Sequence, residues 1–118
     1  MKRTPLKPVN RKRLKRLRAE QFGTDGKREW ILGLSSVVSG KRGWADNPMT
    51  PAHVGKRRGS GGGPEMMAPL LWTEHIDFDS SMRDERFESR HGISRSRIRE
   101  LAIELEAEWQ RMKGELAV

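Results

Sequence analysis

Three histidines stand in the 118-residue chain, His53, His75 and His91, and two of them lie where a phosphodiester-cleaving site needs them. Hydrolysis of a phosphodiester requires a base to activate water. It also requires a cation to stabilise the charge that builds on the phosphate and the leaving oxygen. His53 sits near the end of TPAHV, a run of strand character, and is the candidate base. His75 lies in WTEHIDFD, where helical spacing brings Asp79 onto the same face one turn later. An imidazole and a carboxylate so spaced are candidate ligands for a divalent metal. Asp77 is a weaker alternative, because two residues along a helix points elsewhere. Lys56, Arg57 and Arg58, in the glycine-rich run GKRRGSGGGPE, are candidates to hold a phosphate, in a loop with free amides and high backbone freedom. His91, next to Gly92, reads as a helix-dipole contact or a partial core residue and receives no catalytic role. Ser36 and Ser39 have no base beside them, and GSGGG lacks the Lys-Ser/Thr of a nucleotide-binding loop.

The elements that must position these residues are short. Pro5 and Pro8 keep the first nine residues extended. Asn10 caps a helix from Arg11 to about Gln21 that Gly23 stops; Leu14, Leu17 and Phe22 give it a weak apolar stripe by which to dock, leaving Arg11, Lys12, Lys15 and Arg16 for phosphate. A short helix is expected around Trp30 and Leu34, then turns through Asn47-Pro48. TPAHV and MMAPLL read as a two-stranded ribbon joined by the glycine-rich loop, which is too long for a tight turn. A two-turn helix follows over 72–79. Ser81 and Asp84 resemble a capping box for the next helix, which buries Phe87 and ends at Gly92. Ser94 caps the last helix, about Arg95–Lys113, whose stripe of Ile98, Leu101, Leu105, Trp109 and Met112 either packs on its own domain or pairs two copies as a homodimer. A thin core favours the first. The chain divides into a basic extension and helix (1–22), a central core (23–93) and an amphipathic C-terminal helix (94–118).

Composition narrows the partners. Lys and Arg number 24 against 16 Asp and Glu, a formal net charge of +8, and residues 1–18 hold nine of the cations with no acid among them. Such a block is stabilised by a polyanion, since each phosphate it neutralises releases a counterion. DNA is the expected partner. The absence of cysteine excludes disulfides and thiolate metal sites. No run approaches the roughly 20 apolar residues of a membrane helix, and no apolar run follows the basic start as in a secretory signal, so a cytoplasmic location is expected.

Taken in order, these pieces resemble the small phage and prophage HNH endonucleases of the His-Me finger group. The resemblance covers roughly residues 1–95 and rests on the opening KRTPLK with its basic helix, on PAHVGKRRGSGGG, on APLLWTEHIDFD and on RFESRHGIS. It implies an α+β fold, a small ββα-metal core with additional N- and C-terminal helices, acting in a bacterial host. It implies that His53 is the general base, that His75 is a metal ligand, and that Asp79 stands where the family has a later histidine. A carboxylate there still suits Mg²⁺ or Mn²⁺, with Ni²⁺ as a further candidate. Many relatives carry a structural zinc, whose ligands would fall at Ser36, Ser39, Leu71 and Glu74. These residues are unsuited to zinc, so no structural zinc is expected, and apolar packing of Val37, Val38, Leu71 and Trp72 is expected to replace it. The family's Asn is also missing, with Met66 near its place, and Ala52 offers no metal ligand beside His53.

The leading expectation is a divalent-metal-dependent DNA endonuclease of low sequence specificity. The alternatives are an inactive DNA- or RNA-binding protein on the same scaffold and a phage accessory module that binds another protein through the last helix.

Overall fold

The computed structural model describes residues 10–55 and 62–116. In chain order they form α1 (Arg11–Phe22), α2 (Lys27–Leu32), β1 (Met49–His53), a 3₁₀ turn (Pro64–Met66), β2 (Met67–Leu71), α3 (Trp72–Asp79), α4 (Asp84–His91) and α5 (Arg95–Leu116). The result is a small α+β domain in which an antiparallel ribbon is followed directly by a helix, a ββα-type arrangement. Met49 pairs with Leu71 and His53 with Met67. Val54 N–H then donates to Met66 O at 2.9 Å, carrying the ladder one step past the last paired residue.

Strand alternation decides where the core lies. Ala52, Ala68 and Leu70 pack with Val54, Phe78, Phe87, Ile98 and Ala102 in one buried cluster. β2 is buried at every position, with α2 also touching the ribbon. α5 lies across the same core: Ile98, Ala102 and Trp109 are buried, and the Trp109 ring meets Trp30 at 5.2 Å. The apolar stripe of this helix is therefore used within the chain. Ser94 caps it, accepting from Arg97 N at 3.0 Å.

Two buried cations tie these short elements together. Lys27 Nζ donates to Pro64 O at 2.7 Å and pairs with Glu106, joining α2 to the 3₁₀ turn and α5. Arg95 sits under the end of α3, where helix carbonyls lack partners. Its guanidinium donates to Phe78 O, Asp77 O, Ser80 O and Met82 O, and pairs with Asp84 at 2.8 Å.

Three expectations are corrected. α4 is not capped by Ser81; its N-cap is Arg83, which makes no side-chain cap bond, and Asp84 turns instead to the buried Arg95. α1 docks by the Phe22 end of its stripe and not by the rest: the Phe22 ring lies against His53, while Leu14 and Leu17 are exposed and no residue of the helix is fully buried. Gly23 (φ 76°) closes the docked end of the helix. Trp72 is also exposed, so it does not take over the role of a zinc staple. A polar cluster stands there. Ser36 Oγ–H donates to the buried Glu74 Oε1 at 2.6 Å, and Leu71 N–H donates to the same oxygen at 2.8 Å. Ser36 Oγ in turn accepts from Val38 N and Ser39 N at 3.0 and 3.2 Å. Val37 and Val38 do pack against the core as expected.

Candidate metal and nucleic-acid site

His75 is held from both sides of its ring. Nδ1 lies 2.9 Å from Thr50 Oγ1 and Nε2 lies 3.0 Å from Asp79 Oδ2. The Thr50 hydroxyl also donates to Leu70 O at 2.8 Å, which leaves its oxygen to accept from His75 Nδ1–H. Nε2 is the ring nitrogen that faces the Asp79 carboxylate. Asp79 is 60% exposed, leaving that edge open to solvent. Sequence spacing brings His75 and Asp79 together as expected; Thr50, which orients the pair, carried no sequence signal.

His53, the last residue of β1, is held differently. Its Nε2 lies 2.6 Å from Gln21 O, in the last turn of α1, and its ring lies 5.2 Å from Phe22. A carbonyl only accepts, so Nε2 carries the proton and Nδ1 keeps the lone pair of a base. This bond also uses a carbonyl that α1 leaves unpaired. Gln21 contributes through its main chain, which side-chain identity does not reveal.

The two histidines are not in contact. Thr50, which touches His75, precedes His53 by three residues, about 10 Å along a strand. An odd separation puts the two side chains on opposite faces of the ribbon. A ligand reaching both has to pass around the strand's end.

Asp77 does not join His75. Its Oδ2 accepts from His91 Nε2 at 2.8 Å and from Arg90 at 3.3 Å, tying α3 to α4. Burial pushes the Asp77 carboxyl up, but the hydrogen bonds from His91 and Arg90 outweigh it and hold the group below the usual carboxylate range. The His91 ring also lies 4.5 Å from Phe87, so its partners are those of a packing residue. Among the described residues no group of three or more His, Asp and Glu gathers as a metal site.

α1 carries a run of exposed cations. Arg11, Lys12, Lys15 and Arg16 are exposed, and none of them forms an ion pair among the described residues. Arg11 and Lys15 line a shallow groove with Arg18, Phe22 and Arg28; Lys12 and Arg16 line another. Lys56, Arg57 and Arg58 lie outside the described residues. No described helix is long and apolar enough to cross a membrane. The fold is that of a small ββα-type α+β domain. No family model, curated protein or solved structure matches the chain.

Proposed function

We propose that this chain is a divalent-metal-dependent DNA endonuclease of low sequence specificity, on a core of the His-Me finger type. The observation that carries the reading is the convergence of His75 Nε2 and Asp79 Oδ2 at 3.0 Å on an edge open to solvent, with Thr50 on the other ring nitrogen. The donor set suits a hard cation. With metal–ligand bonds of about 2.1 Å, neighbouring ligands of an octahedron lie about 3 Å apart. The Nε2 to Oδ2 separation is 3.0 Å. Magnesium commonly keeps several waters beside one or two protein ligands and phosphate oxygens, so a two-residue site is enough. His75 and Asp79 would hold Mg²⁺ or Mn²⁺, with Ni²⁺ as an alternative, and the cation supplies charge stabilisation on the phosphate when bound.

The remaining work falls to the chain's own groups. His53 Nδ1 takes a proton from water while its Nε2–H stays on Gln21 O. Thr50 keeps the His75 ring in one orientation. The cations of α1 hold the DNA backbone without reading bases. The resemblance to HNH endonucleases gains support from a separate place. Positions 36, 39, 71 and 74, where relatives carry zinc ligands, are joined here by one run of hydrogen bonds.

One observation favours a second reading, a DNA-binding protein that does not cut. His53 and the His75 partner Thr50 face opposite sides of β1. Incubation of supercoiled plasmid with the full chain and Mg²⁺, Mn²⁺ or Ni²⁺ separates the two. Nicking that disappears in His53→Ala and Asp79→Asn supports the endonuclease. A gel shift with no nicking under any of these metals supports the silent binder.

A further inference from the structure

We propose that Arg99 grips a phosphate oxygen of the DNA at the end of the ribbon, between the His53 and Asp79 sides of the site. The proposal rests on the reading of the chain as a DNA-binding hydrolase and assigns the residue that spans its two halves. Arg99 reaches back from α5 so that its Nε donates to Val54 O at 2.9 Å. Its guanidinium carbon lies 5.5 Å from the centre of the Phe78 ring. Val54 follows His53 in the chain, and Phe78 precedes Asp79. The guanidinium is thus fixed by one hydrogen bond and one aromatic face, on residues that adjoin His53 and Asp79 in the chain.

The other arginines of the same helix segment are committed elsewhere. Arg95 directs its donors to four carbonyls and Asp84. Arg97 pairs with Glu100 at 3.0 Å and reaches Glu104 at 3.8 Å. No carboxylate among the described residues pairs with Arg99, and it is only half-buried. Its two terminal nitrogens are therefore free to form the paired donors that match a phosphate. A guanidinium held before the ligand arrives needs little reorganisation when charge develops on that phosphate.

The test uses the full chain labelled with ¹⁵N-arginine. A short DNA duplex is titrated in EDTA, with inorganic phosphate as a separate probe, and the cleavage rate is then measured with Mn²⁺. The assigned Arg99 side-chain signals are expected to shift on DNA addition. Arg99→Ala is expected to lower the maximal cleavage rate about 100-fold with KM changed only a few-fold. Arg99→Lys, which keeps the charge but not the fork, tests the geometry if the alanine variant melts early, and is expected to recover only part of the rate. Unchanged Arg99 signals in the DNA complex, or full cleavage by Arg99→Lys and Arg99→Ala alike, overturn the proposal. A wild-type chain that never cuts but whose Arg99 signals shift with DNA rejects the hydrolase and leaves the phosphate grip standing. A shift with inorganic phosphate but none with DNA assigns the site to a free anion and also overturns it.

Discussion

Thr50 has a single hydroxyl proton, and giving it to Leu70 O decides the chemistry of the residue opposite. The hydroxyl accepts from His75 Nδ1, so Nε2 is the nitrogen presented to Asp79. Thr50→Val keeps the shape of the side chain and removes that acceptor. Loss of an outer partner of this kind typically weakens a metal site about 10- to 100-fold. Calorimetric titration with Mn²⁺ is expected to show that drop in Thr50→Val and its recovery in Thr50→Ser, with thermal stability little changed. Equal Mn²⁺ affinity in both variants would remove the tautomer argument. His53, His75 and Asp79, the proposed site residues, are marked by residue type and spacing alone. Thr50, the Gln21 carbonyl and Arg99 are not. Each acts through a contact between elements distant in sequence, and one acts through its backbone.

Asp25 carries a second consequence at this scale. Burial raises its pKa, but hydrogen bonds from Lys113, Trp109 and the Lys27 amide outweigh that and lower it from 3.8 to about 2. A carboxylate whose folded pKa is depressed stabilises the fold fully above its unfolded value. That contribution is lost as pH falls through the folded value. It is therefore complete above about pH 4 and fades between about pH 4 and 2. Asp25→Asn is expected to be less stable than the parent at neutral pH and to converge with it near pH 2 in urea melts. A constant difference across that window would contradict the assignment. Because Asp25 is 35% exposed, solvent screening keeps the effect modest.

At the scale of elements, the ribbon, α3 and the capped starts of α1 and α5 could be read from periodicity and end signals, which are local. What was misread was the relation between elements. The stripe of α1 suggested docking through Leu14, Leu17 and Phe22, yet it is Phe22, with the Gln21 carbonyl, that meets His53 while the two leucines stay exposed. Ser81 suggested a cap, yet Asp84 answers to Arg95 across the core. The turn after α2 is held to the β2–α3 junction by Ser36 and Glu74, a polar joint beside the apolar packing of Val37, Val38 and Leu71. Those contacts join positions 36, 39, 71 and 74. Replacing all four residues with cysteine is therefore expected to create a tetrahedral thiolate site. Addition of Co²⁺ would report it through thiolate charge-transfer absorption, and a chelator would unfold this variant while leaving the parent's helical signal intact. Absence of those bands in a folded four-cysteine variant would mean that the joint does not have the geometry of a metal knuckle.

For the whole molecule, charge and attachment belong to the same argument. α5 uses its apolar stripe inside the domain, and among its described side chains Ile103 is the exposed large hydrophobic one, which weakens the reading of a protein-binding module. α1 does the reverse. It buries nothing and keeps its cations in solvent, and its last turn holds the ring of the proposed base. Under the proposed function, DNA lying along α1 would thereby be led toward His53. Since each phosphate contact releases counterions, the logarithm of the binding constant falls with the logarithm of salt by about 0.9 per contact on duplex DNA. Substituting Arg11, Lys12, Lys15 and Arg16 with glutamine is expected to make that slope shallower by about 3 to 4 and to weaken binding to every duplex sequence alike. Fluorescence anisotropy with two unrelated duplexes, from low to moderate salt, measures both effects. An unchanged slope would move the DNA off α1. A loss confined to one duplex would mean that the helix reads bases, and the proposal of low sequence specificity would fail with it.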